Sequence, residues 1–152
     1  YATCCDGTHR ITPDPSGKGL AEAIKTTLDM AGYQPGDIDY ICADGIATKA
    51  GDISEARAIK EVFDSRYQQV PVSAPKSMFG HLLGASGAVD VITTLLAMQE
   101  GIIPPTINYQ TKDPECALDC VPNKTRAKEI SRALIVSRGR GGINAVLAIE
   151  RS

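Results

Sequence analysis

Three short stretches of the 152-residue chain carry side chains that could do chemistry. In "YICADGIATKAGD", Asp44 follows an apolar run and precedes small, loop-forming residues, which delivers an acid at the end of a strand, where a catalytic carboxylate would sit. In "PKSMFGHLLGASG", Lys76 and His81 bracket a turn just ahead of a long apolar helix. Free amides and the positive end of a helix dipole there favour an anion or a developing oxyanion. In "SRGRGGIN", Arg138 and Arg140 flank Gly139, either standing in solvent or lining a site or interface. This last stretch joins two strands rather than a strand and a helix, which is the wrong setting for a phosphate cradle. Its glycines read instead as permitting positive φ and close backbone approach at a buried turn.

A nucleophile is harder to find. The cysteines are Cys4, Cys5, Cys42, Cys116 and Cys120, and none stands at a strand-to-helix elbow, where a helix N-terminus would lower the thiol pKa. Cys42 comes nearest but lies inside a strand. Cys116 and Cys120 are four apart on a loop without nearby histidines, a poor zinc pattern, so no metal or cofactor is expected. The odd number and the absence of CxxC fit reduced thiols in a cytoplasmic protein. His9 has only Asp6 and Arg10 as ionisable neighbours and reads as structural.

The positioning elements follow from periodicity. Residues 19–31 place Leu20, Ala21, Ile24, Leu28 and Ala31 on one helical face, with Gly32 as the stop. Residues 38–43 form a short buried strand ending at Asp44. Asp52 and Glu55 have the spacing of a capping box, which predicts a helix over 52–63. Residues 70–74 form another strand, and 85–98 a helix with apolar residues on more than one face, expected to be buried centrally. Residues 105–123 read as a long surface loop, and the chain closes with two strands around the glycines at 139–142. The order β-α-β-α-β-α-loop-β-β predicts one α/β layered domain over 1–152 with a mostly parallel sheet, its three chemical loops converging at the carboxyl ends of strands.

Composition sets outer limits. A formal charge of -2 with 22% charged residues gives no footprint for nucleic acid. No apolar run approaches the roughly 20 residues needed to span a bilayer, so a membrane partner is not expected.

Taken together, "AGDISEARAIKEVF", "KSMFGHLLGASGAVDVITTLLAMQEGIIPPTIN" and "RGRGGINAVLAIE" resemble, in order, segments of the β-ketoacyl synthases, condensing enzymes of thiolase fold. The resemblance spans the chain and implies the C-terminal half of such a protein. It opens at Tyr1, and the N-terminal half that carries the family's nucleophilic cysteine is expected on another chain, covering surface that one half alone would expose. Lys76 and His81 match the family's lysine and second histidine, and Glu55 a carboxylate that pairs near that lysine.

Two departures shape the functional expectation. Where active members read His-Gly-Thr, this chain has Asp44, Gly45 and Ile46, and a carboxylate repels the oxyanion that a histidine would stabilise. Where they carry an aromatic gate in the last glycine loop, it has Arg138 and Arg140. Both changes resemble the chain-length factor, the silent partner of the ketosynthase α subunit in type II polyketide synthases. That implies a heterodimer shaping the tunnel in which a poly-β-keto chain grows on an acyl carrier protein. Asp44, Glu55, Lys76 and His81 are then vestigial, and Phe79, Arg138 and Arg140 belong to a pocket wall or interface. The alternatives are part of an active β-ketoacyl synthase, with Lys76 and His81 working, and a non-catalytic scaffold.

Overall fold

A computed structural model describes residues 1–151. The elements run β1 (Ala2–Cys5), α1 (Lys18–Ala31), β2 (Tyr40–Cys42), α2 (Lys49–Phe63), β3 (Val72–Ser73), α3 (Lys76–Phe79), α4 (Ser86–Glu100), β4 (Ile102–Ile103), β5 (Arg126–Ala127), β6 (Arg132–Gly139) and β7 (Ile143–Glu150). Five strands make one sheet in the order β1-β7-β6-β2-β3, while β4 and β5 pair separately. The first expectation to be corrected is the sheet's direction. β2 runs parallel to both β3 and β6, but β7 is antiparallel to β6 and β1. The glycine turn at 139–142 folds the last strands into a hairpin, and β1 then pairs along its outer edge.

Alternation along β2 sorts the two faces. Ile41 and Ala43 point into one core, with Leu20 and Ile24 of α1, Ile59 of α2 and Val136 of β6. Tyr40 and Cys42 point into the other, with Ala97 and Met98 of α4 and Ile135 of β6. Continuing the same alternation, Asp44 leaves the strand on the α4 side. Helix α1 matches its expected bounds and closes at Gly32 in the left-handed region (φ 72°), with the Gly32 and Tyr33 amides donating back to Asp29 and Leu28 carbonyls.

Three further expectations change. Helix α2 begins three residues before Asp52, because Thr48 is its N-cap and the Thr48 hydroxyl accepts the Gly51 N–H at 3.2 Å. The capping-box spacing is therefore coincidental, and Glu55 is free for another task. Helix α4 is not buried centrally: Ile92, Leu95 and Leu96 are 57%, 47% and 53% exposed, while Ser86, Asp90 and Thr94 face inward. Its inward face is polar toward the N-terminus, where Asp90 meets the buried Lys76, and apolar at Ala97 and Met98. Lastly, the segment 105–123 is tied to the body by a bridge from Asp119 to Pro71, by the Ala74 N–H on the Thr106 hydroxyl at 3.0 Å and by the Lys60 ammonium on the Glu115 carbonyl at 2.8 Å, while a bridge between Thr106 and Pro122 closes it on itself.

Candidate functional site

The parallel pair β2–β3 ends at two loops lying side by side, which brings Asp44 against Lys76 although 32 positions separate them. The loop after β2 needs its glycine. Gly45 has φ +46°, and a Cβ there would lie 2.4 Å from the Ala74 Cβ at the end of β3. Lys76 opens the single-turn helix α3, and its ammonium donates to Asp90 Oδ2 of α4 at 2.6 Å and lies 3.3 Å from Asp44 Oδ1. All three side chains are at least 97% buried. Each of the three would be costly alone in this interior: breaking such a pair typically costs about 3–5 kcal/mol.

Glu55 does not pair with the lysine, contrary to expectation. It projects from α2 toward the chain emerging from β2, and its two oxygens accept the Asp44 N–H at 2.8 Å and the Gly45 N–H at 2.9 Å. Burial pushes the Glu55 carboxyl up to about 7; the Asp44 charge adds to the rise, and the two backbone donors and Arg138 oppose it. Burial alone would pull Lys76 down, but its hydrogen bond to Asp90 and the charges of Asp44 and Asp90 carry it above its ordinary value. Asp90 is raised by burial against the pull of Lys76, and its Oδ1 has no hydrogen-bond partner among the described residues.

Chemically, this arrangement holds an ammonium between two carboxylates. Lys76 has no free base form to offer, Asp44 can only accept hydrogen bonds while ionised, and negative charge developing nearby would meet repulsion. His81 makes no hydrogen bond or ion pair with Asp44, Lys76 or Asp90 among the described residues. It is exposed, its Nδ1 accepts the Leu83 N–H at 3.0 Å, and it lines a cavity of about 920 Å³ together with Gly45, Glu55 and Lys76. Cys42 lies in the same interior with its thiol pushed up to about 12 by burial and by Asp90, which leaves it unreactive.

The remaining candidates separate. Arg138 turns inward and bonds across to α2, whereas Arg140 is exposed at the turn and Phe79 is 38% exposed at the end of α3. His9 is structural, its Nδ1 accepting the Ile11 and Thr12 amides at 3.1 Å each. Sequence reasoning missed Asp90. The available signal was a lone acid in an apolar helix with polar residues four positions either side, Ser86 and Thr94, which marks a buried polar stripe.

Residues 1–110 match the model of the β-ketoacyl synthase C-terminal domain. The chain belongs to the β-ketoacyl synthase family. It is 43% identical over 151 residues to the 3-oxoacyl-[acyl-carrier-protein] synthase 2 of Synechocystis sp., covering 99% of this chain and 36% of that protein. The chain thus spans about a third of the length of the curated relatives it matches. Among solved structures it superposes with a TM-score of 0.98 and 35% identity on a type II polyketide synthase acyl-carrier protein in complex with its ketosynthase bound to the hexaketide, covering 100% of this chain and 37% of that one. The ishigamide ketosynthase/chain length factor gives 0.95 and 38%, again over 100% of this chain and 37% of the other. The thiolase-like α/β fold expected of a β-ketoacyl synthase C-terminal domain is therefore the fold present.

Proposed function

We propose that this chain is the C-terminal part of a chain-length-factor-like ketosynthase subunit, silent in itself, which pairs with an active ketosynthase α subunit in a heterodimer. Residues 1–152 form its C-terminal domain, and the N-terminal half covers the exposed face of α4. The pair elongates a poly-β-keto chain carried on an acyl carrier protein, and this subunit contributes wall rather than nucleophile. One observation carries the reading. Asp44 occupies the place of the family's first histidine, and it is bound into an ion pair with Lys76 instead of presenting a donor to substrate. The two structural neighbours come from a complex with an acyl-carrier protein and from a ketosynthase/chain length factor, which supports the assembly and both partners.

A second reading has its own support, because the curated relatives at 41–43% identity are 3-oxoacyl synthases. In that reading Lys76 and His81 act in decarboxylative condensation and Asp44 is a tolerated substitute. The test uses the full-length protein with malonyl-loaded acyl carrier protein, alone and with its ketosynthase partner. The expected result is no carbon dioxide release and no elongation by the protein alone, and both with the partner present. Turnover by the protein alone would overturn the proposal and establish the second reading.

A further inference from the structure

Arg138 reaches further across the fold than any role as an interface residue requires. Its Nε donates to Asn144 Oδ1 at 3.0 Å, Nη1 to the Gly51 carbonyl at 3.2 Å and Nη2 to the Ser54 hydroxyl at 3.2 Å. Nη2 also lies 3.8 Å from Asp6 Oδ2, with the Arg138 side chain 8% exposed and that of Asp6 fully buried. These partners belong to three segments distant in sequence: the start of β7 just past the glycine turn, the start of α2, and the connection from β1 to α1.

Each segment is fastened to the next around the same guanidinium. Asp6 Oδ1 accepts the Asn144 amide at 2.7 Å, and its Oδ2 accepts the Asp14 N–H at 2.8 Å. The Ser54 hydroxyl donates to the Asp14 carbonyl at 2.6 Å. The Asp6 N–H donates to the Gly142 carbonyl at 2.8 Å, and a Cβ at Gly142 (φ +78°) would come within 2.8 Å of the Asp6 Cβ. The glycine turn is thus pressed flat onto Asp6. One position after Ser54, α2 carries Glu55, which grips the amides of Asp44 and Gly45.

We infer that Arg138 is a positioning residue that joins the glycine turn, the 6–16 connection and the first turns of α2 into one rigid rim beside the Asp44 loop. The three segments open together or not at all. A planar fork with several donors can bond carboxylate, carbonyl and hydroxyl partners at once, which an ammonium on a single stem cannot do. The inference stands whether the pocket is silent or catalytic, so its failure and the failure of the proposed function are separate outcomes.

Amide hydrogen exchange by mass spectrometry on the full-length protein tests it, with Arg138→Met and Arg138→Lys. Arg138→Met is expected to raise exchange at least about tenfold in peptides covering 6–16, 48–54 and 139–144 together, leaving β2 and the middle of β6 protected. Arg138→Lys is expected to show a smaller rise in the same three peptides, and it decides the matter if the methionine variant does not fold. A rise confined to 139–144, or an equal rise everywhere, would overturn the inference. Adding Asp6→Asn to Arg138→Met relieves the stranded buried carboxylate and is expected to recover thermal stability without restoring protection of the three peptides. Restored protection would mean that charge balance, not the fork, holds the rim.

Discussion

At the scale of single residues, what distinguishes this pocket is the sign of the charge at position 44. Asp44 brings a carboxylate to a place already holding Glu55 and Asp90, and one lysine neutralises part of the excess. Burial, with the Asp44 charge adding to it, has a measurable consequence at Glu55. Its folded-state pKa, about 7, stands above the ordinary 4.5, so the folded protein holds a proton that the unfolded chain has released between those values. The stabilisation is full below about 4.5 and is lost as pH rises through about 7, with a slope of up to about 1.4 kcal/mol per pH unit for one proton. Groups facing Glu55 set this window: Asp44 at the end of β2 raises it, and Arg138 of β6 lowers it. Glu55→Gln is expected to flatten the fall in stability between pH 5 and 7, read by denaturant unfolding of the full-length protein at several pH values. An unchanged slope would place the proton elsewhere.

Elements decide where those residues point. Helix α2 works as a lever whose first turn is set by Thr48 and whose second turn carries Glu55 to the amides of the Asp44 loop. Thr48→Ala removes the acceptor for the Gly51 N–H and is expected to cost about 1 kcal/mol, measured as a shift in the denaturation midpoint. The loss should be accompanied by faster exchange at the Asp44 and Gly45 amides, because the same turn aligns their acceptor; no shift in either would assign the cap to another group. Helix α4 illustrates the limit of pattern reading. Its apolar residues do fall at helical spacing, but only Ala97 and Met98 turn inward with Ser86, Asp90 and Thr94, and Asp90 is there to meet Lys76.

At the scale of the whole molecule, the chain has two different surfaces. One side of the sheet is closed by α1 and α2 over a continuous apolar core. The other is covered by α4, which turns Ile92, Leu95 and Leu96 outward, with Leu82 and Leu83 also exposed nearby in the chain. Exposed apolar side chains on one helix are what the proposed covering by the N-terminal half would bury. If the rest of the protein covers α4, as proposed, Leu95→Ala in the full-length protein should behave as a core substitution and cost about 2–5 kcal/mol. If α4 stays in solvent, the change should fall within about 0.5 kcal/mol. Unfolding of the two proteins in urea distinguishes these outcomes.

The alternation of strands and helices, the course of α1, the hairpin glycines and the three chemical loops were legible from residue order, because periodicity and turn chemistry act over a few neighbouring residues. So was the family, carried by local motifs around Lys76, Glu55 and Asn144. Only the folded chain could decide that Lys76 is shared by Asp44 and Asp90, that Glu55 serves backbone amides, and that Arg138 turns inward while Arg140 does not. Those outcomes depend on which loops the parallel pairing of β2, β3 and β6 places side by side, and through-space meetings of residues tens of positions apart leave no local period to read.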